Sequence, residues 1–372
     1  MTRQPAQNPQ SHERSASSAL SVVIPGDLET RTGGYGYDRR IIAGLRGLGW
    51  TVDVIGLDDG FPTPAPAARE RAARTLAAIP DRSLVLVDGL ALGALPDEIE
   101  REAGRLQIVA LVHHPLAAET GIDPALASAL EISERRALAA ARSVVVTSRA
   151  TASRLAHDYG VPVERLTVIE PGTDPAPLAR GSADSSQPSE VALLCVATVT
   201  PRKGHELLIS ALADIPERNW RLTCAGSLDR DAATVARVRA QLRETGLEDR
   251  VSLAGDMNAG ALASEYDRAD LFVLPTLYEG YGMAVAEALA RGLPVVSTAT
   301  GAIADLAGDA AIVVPPGDRP AFTAALSRAI GDPDLRARLA AGARRVRDRL
   351  PTWDAAAAAM AQALRESEDL ET

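Results

Sequence analysis

A chain of 372 residues is longer than the roughly 250–300 residues at which a single apolar core stops growing, so two domains are expected. Its 46% hydrophobic and 24% charged content is that of a folded globular protein, and no apolar run is long enough to span a bilayer as a helix. The 39 Lys and Arg against 49 Asp and Glu give a net charge of −10, which repels nucleic-acid backbones and anionic headgroups and favours a soluble acceptor over a lipid surface.

Residues 1–18 (MTRQPAQNPQSHERSASS) are polar and rich in Pro, Gln and Ser, the composition of a disordered tail, and lack the apolar core of a secretory signal. The two cysteines, Cys195 and Cys224, lie in apolar strand-like runs and suit core packing, so no disulfide framework is expected and a cytoplasmic location follows. From Ala19 onward, short β-branched runs alternate with longer segments of helical period, the pattern of a parallel sheet flanked by helices. In the first half the strands are LSVVIP, TVDVIG, SLVLVDG, IVALVHH, SVVVTS and LTVIEP. The alternation stops near Leu178 at ARGSADSSQPSE, a stretch of linker composition, and restarts with ALLCVAT, WRLTCAG, RVSLAG, DLFVLP, LPVVST and AAIVVP. The predicted organisation is an N-terminal Rossmann-like domain over 19–178, a linker over 179–190 and a second such domain over 191–350. A C-terminal helix in 351–372 could cross back to the first domain. The fold class is α/β, with two Rossmann-like domains facing a cleft, where ligands sit beyond the carboxyl ends of the strands.

The most informative segment is DLFVLPTLYEGYGMAVAEALARGLPVVS, Asp270 to Ser297, which reads as strand, loop, helix and strand with Glu279 and Glu287 set eight apart. At ~1.5 Å rise per residue the two carboxylates can sit roughly 10 Å apart with a helix N-terminus between them, which suits an extended nucleotide sugar. The diphosphate would rest on the amides of Tyr281, Gly282 and Met283, beside Gly280, while the carboxylates accept from sugar and ribose hydroxyls. Arg202 and Lys203 open a helix, where cations are disfavoured unless an anion binds there.

In this segment and its surroundings the sequence resembles glycosyltransferase family 4, the large retaining group of the GT-B fold. The same order of features runs through TPRKGHELLISAL, CAGS, VSLAGDMN, ASEYDRADLFVLP and STATGAIADL. In the first half it includes GGYGYDRRIIAGLRGLGWTVDVIG, VHHP, VVVTSRATASRL and VIEPGTD. The resemblance covers roughly Ser21 to Arg349. It implies Glu279 on donor-sugar hydroxyls, Glu287 on the ribose, and Lys203 with Arg202 on the diphosphate. It also implies a glycine loop (Gly34, Gly36, with Gly33) near the phosphates, His113 beside the reacting sugar, and Tyr35 and His114 toward the acceptor. Thr198, Gly226, Asp256 and Met257 fall at the family's remaining donor-site positions. Thr198 stands where the family commonly has an arginine, so Arg202 is expected to take over that charge.

The implied activity is metal-independent transfer of a hexose-type sugar, with retention, from a nucleotide diphosphate sugar co-substrate to a small-molecule or glycan acceptor. No cofactor, metal or nucleic acid is required, and the oligomeric state is left open. Two other readings stand beside it: a non-catalytic nucleotide-sugar-binding partner of a transferase, kept alive by Thr198, and a nucleotide-sugar oxidoreductase, disfavoured because Arg39 replaces the third glycine of the dinucleotide fingerprint. The string Asp229, Arg230, Asp231 could hold a metal in another transferase architecture, but at a helix start an Asp is more simply a cap. No His and Cys cluster has zinc spacing.

Overall fold

The computed structural model describes residues 18–182 and 190–369. The expected tail lies almost wholly outside the described residues, as does most of the expected linker.

The first half contains β1 (Ala19–Pro25), α1 (Gly33–Gly47), β2 (Thr51–Leu57), α2 (Pro66–Ala77), β3 (Leu84–Asp88), α3 (Gly89–Leu92), α4 (Pro96–Glu102), β4 (Gln107–Val112), α5 (Pro124–Ala140), β5 (Ser143–Val146), α6 (Arg149–Asp158) and β6 (Leu166–Val168). Its six strands are all parallel in the order β2-β1-β3-β4-β5-β6. The second half contains β7 (Val191–Val196), α7 (His205–Asp214), β8 (Trp220–Ala225), α8 (Ala232–Thr245), β9 (Val251–Gly255), α9 (Ala259–Arg268), β10 (Leu271–Leu274), α10 (Met283–Ala290), β11 (Val295–Thr298), α11 (Ile303–Ala307), β12 (Ala311–Val314), α12 (Arg319–Gly331), α13 (Pro333–Arg347) and α14 (Trp353–Asp369). Its sheet is likewise parallel, in the order β12-β11-β10-β7-β8-β9. In both sheets the strand order reverses beside the first strand, which opens a crevice at the carboxyl edge.

Strands buried on both faces read as near-continuous apolar runs, and β3 (LVLVD, closed by the helix-capping Asp88) and β10 (LFVL) are buried throughout. The helix starts are set locally. Thr32, Asp88, Asp123, Ser148, Asp231, Asn258, Asp318 and Asp332 each cap a helix by accepting a backbone N–H. Asp231 accepts from the Thr234 amide at 2.8 Å, so this member of the D-x-D string is a cap.

After α13 the chain returns to the first domain. The Thr173 amide donates to the Pro351 carbonyl at 2.8 Å, and Gly172 lies so close to Trp353 that a β-carbon there would overlap its backbone. α14 then packs on α1, placing Met360 and Leu364 in one core with Leu20, Val22, Ile41 and Leu45. No helix among the described residues is long and apolar enough to cross a membrane.

Candidate functional site

The two carboxyl edges meet at His113. Gly280, in the loop after β10, lies against the His113 carbonyl so closely that a β-carbon would overlap it. On the other side Gly33 and Gly36, in the first turn of α1, approach Met283 at the start of α10, and Gly34 lies on the His113 ring. Arg31 Nη1 donates to the Met257 carbonyl at 3.0 Å, bridging the domains at the far end of the cleft. The glycine loop, VHHP and the E-x7-E segment, far apart in sequence, thus share one place.

His113 Nε2 lies 3.1 Å from Asp38 Oδ1 and 3.9 Å from Asp88 Oδ2, and its ring meets Tyr37 edge-on at 5.3 Å. Burial works against a charge on His113, but the two carboxylates outweigh it and raise its pKa. Burial and the nearby Asp38 push Asp88 up to about 7, although His113 and the amides of Leu90 and Ala91 oppose this. Tyr35 donates its hydroxyl to the Pro25 carbonyl at 2.5 Å, and burial with Asp88 and Asp38 raises that phenol to about 12.

The second network crosses between domains. Arg202 Nε lies 3.1 and 3.2 Å from the two oxygens of Glu119, and its Nη1 donates to the Tyr278 carbonyl at 3.0 Å. Lys203 Nζ donates to Glu279 Oε2 at 2.5 Å. Burial alone would raise Glu279, but Lys203 and Arg202 hold it below the usual carboxylate range. Burial would likewise raise Glu119, but His114 and Arg202 bring it down to about 2. His114, 3.8 Å from Glu119 and tilted over Tyr278, is depressed by burial, with Arg202 adding to the effect. Arg202 therefore already has partners, and covering the charge absent at Thr198 would require it to leave Glu119.

Close backbone packing holds this turn in place. Gly204 has a φ of +71°, and a β-carbon on it would overlap the Pro275 carbonyl. The Leu277 amide donates to the Arg202 carbonyl at 2.7 Å. From the other side Gly301 (φ +54°) lies against the Glu279 carbonyl with no room for a β-carbon. The lysine and the glutamate are thereby presented by three interlocked loops.

Gly282 (φ +100°) caps α10, so the open amides of that helix are those of Met283, Ala284 and Val285, two residues further along than the loop amides of Tyr281, Gly282 and Met283 expected from sequence. Glu287 lies on the second turn, where it accepts from the Tyr266 hydroxyl at 2.9 Å, and burial raises its pKa. Arg291 stacks over Tyr266 at 4.3 Å and donates to the Glu287 carbonyl. The two glutamates thus occupy different surroundings, Glu279 ionised against a lysine and Glu287 beside a phenol. Thr198, Gly226, Asp256 and Met257 lie just beyond the carboxyl ends of β7, β8 and β9, with the Gly226 amide donating to Gly255 at 2.9 Å. Tyr281 is 5% exposed and packs with Ala286 and Ala302.

Sequence reasoning singled out neither Asp38, Asp88 and Glu119 nor Gly301. The His113 loop also rests on Glu134, which accepts the Leu116 amide at 2.9 Å and which burial pushes up to about 8. A folded pKa above the unfolded value near 4.5 means that the unfolded chain loses its proton first, so stability falls as pH rises from about 4.5 to about 8. Glu134→Gln should remove that loss. Its melting temperature relative to the parent should climb through this window, by the equivalent of a few kcal/mol, and then level off; a pH-independent difference would refute the assignment.

Parallel sheets facing a cleft in this manner define the GT-B class. Sucrose-phosphate synthase from Thermosynechococcus elongatus superposes with a TM-score of 0.79 at 23% identity, covering 94% of this chain and 98% of that one. Anabaena HepE in complex with UDP-glucose gives 0.74 at 19% identity, over 94% and 99%. The model described as "Glycosyltransferase Family 4" matches residues 85–177, and that described as "Glycosyl transferases group 1" matches residues 183–346. The chain belongs to the glycosyltransferases that join these two domains. Among its curated relatives, a D-inositol 3-phosphate glycosyltransferase of Xylanimonas cellulosilytica is 32% identical over 62% of this chain. An MMP alpha-(1->4)-mannosyltransferase of Mycolicibacterium hassiacum is 28% identical over 80% of this chain and 74% of its own length. The match spans 58% of the length of the inositol-phosphate relative.

Proposed function

We propose that this chain transfers a hexose-type sugar, with retention, from a nucleotide diphosphate sugar to a small soluble acceptor in the cytoplasm, without a divalent metal in the reaction. The observation that carries this reading is the Lys203–Glu279 pair, held by interlocked loops beside Arg202, at the point where the two domains touch through Gly280 and His113. A diphosphate against the first turn of α10 would draw Lys203 and free Glu279 to accept from sugar hydroxyls, so one ion pair serves both halves of the donor. His113, its Nε2 engaged by Asp38, would face the sugar with its other ring nitrogen. Retention then follows from departure and attack on one face, with lysine, arginine and helix amides neutralising the leaving group. Such preorganised charge takes the role a metal has elsewhere.

The test is transfer by the purified chain, in buffer without Mg²⁺ or Mn²⁺, from UDP-, GDP-, ADP- and dTDP-sugars to a panel containing inositol phosphates and monosaccharides, the classes suggested by the relatives' names. Tight nucleotide binding without hydrolysis or transfer by any pair would instead favour a non-catalytic binding partner.

The two glutamates should separate in that assay. Glu287→Ala is expected to weaken the bare nucleoside diphosphate in calorimetry, whereas Glu279→Ala should leave that affinity nearly unchanged and depress turnover. The reverse pattern would exchange their roles.

A further inference from the structure

Cys195 and Cys224 stand opposite each other on the parallel strands β7 and β8, so their side chains share one face of the sheet. His205, the first residue of α7, brings its imidazole to the same point, with Nε2 3.9 Å from the Cys195 sulfur. The two sulfurs and a ring nitrogen all lie within 4.8 Å of one another, and the three residues are 0%, 2% and 1% exposed. The other ring nitrogen of His205, Nδ1, is buried without a hydrogen-bond partner among the described residues. The cluster lies outside the cleft, and neither donor nor acceptor chemistry uses it.

We propose that Cys195, Cys224 and His205 form a buried site for one thiophilic divalent cation, zinc by its donor set, beneath the turn that carries Lys203. Zinc takes sulfur at about 2.3 Å and imidazole nitrogen at about 2.0–2.1 Å, so two such ligands on one ion stand roughly 3.5 Å apart, within a few tenths of an ångström of the sulfur-to-nitrogen separation here. Charge balance favours the same ion. On binding, both thiols release their protons, and two thiolates with a neutral imidazole cancel the two positive charges, so the core holds no net charge at that point. With three protein ligands, the fourth position of the tetrahedron would fall to a water taken in with the ion. His205 follows Gly204 directly, which ties the ion to the backbone that presents Lys203. No zinc motif marks the cluster in sequence, because its ligands lie on two strands and a helix, ten and nineteen residues apart in sequence order, instead of on a short knuckle.

Chain purified from zinc-supplemented cells and dialysed against metal-free buffer is expected to retain one zinc per chain by plasma mass spectrometry. Cobalt added to the stripped chain should produce the intense near-ultraviolet band of thiolate-to-metal charge transfer. Cys224→Ser should lower zinc affinity on the order of a hundredfold or more and weaken that band. Absence of both zinc and a cobalt band in the parent chain overturns the proposal, as does zinc retained unchanged by a folded Cys224→Ser variant. The parent measurements need no variant, so a misfolded substitution does not shield the idea. The readouts are metal content and absorbance, which the failure of the transfer reading would leave untouched.

Discussion

Lys203→Ala is expected to lower turnover by about 10²–10³, the scale on which one preorganised charge stabiliser acts. Negative charge grows on the bridging oxygen and the adjacent phosphate as the glycosidic bond breaks, so a cation there stabilises the transition state more than the bound donor. The structure gives the lysine a second role. Its ammonium offsets the burial of Glu279, and without it Arg202, 3.9 Å away, and the weaker influence of His114 remain to hold that carboxylate ionised. Lys203→Ala should therefore impair leaving-group stabilisation and sugar contacts together. Lys203→Arg keeps the charge but not the shape of the 2.5 Å contact, so it should recover only part of the loss. Near-normal turnover of a correctly folded Lys203→Ala chain would place the phosphates elsewhere and remove the proposed donor site.

Gly280→Ala should cost about 10² in turnover through geometry alone, the penalty expected when reacting groups are displaced by about 1 Å. The added carbon would overlap the His113 carbonyl, a backbone atom at the end of a buried strand that cannot rotate away. The domains would have to part at the one place where His113 meets the Glu279 loop. Each domain keeps its own core, so the melting temperature should change little while transfer collapses. Gly47→Ala, at the end of α1 with open space around it, is the control and should be active. A fully active Gly280→Ala enzyme would mean that chemistry occurs with the cleft further open than it is here.

What the sequence disclosed and what it hid differ in physical kind. Strand and helix alternation is local, so both sheets and the loop-then-helix placement of Glu279 and Glu287 were legible from periodicity and glycine positions. α12 and α13, two helices in the Ala- and Arg-rich stretch after β12 that meet at Asp332 and Pro333, were not read from the sequence. Harder still was the pairing across domains. Arg202 meets Glu119 across 83 residues and His113 meets Asp38 across 75, separations fixed by strand order and cleft closure with no trace in spacing. Gly301 was part of a visible motif, yet its reason, contact with the Glu279 backbone, exists only once β10 and β11 lie side by side.

The return of α14 to the first domain has a consequence for synthesis. Met360 and Leu364 fill the same core as Leu20 and Val22, so the domain that leaves the ribosome first lacks part of its interior until the residues of α14 have emerged. The second domain, whose core runs from Val191 to Val346, has all its core residues available earlier. The order of completion is therefore the reverse of the order of translation, and the nascent N-terminal half carries an apolar groove along α1 that is sealed only after the second domain has been made.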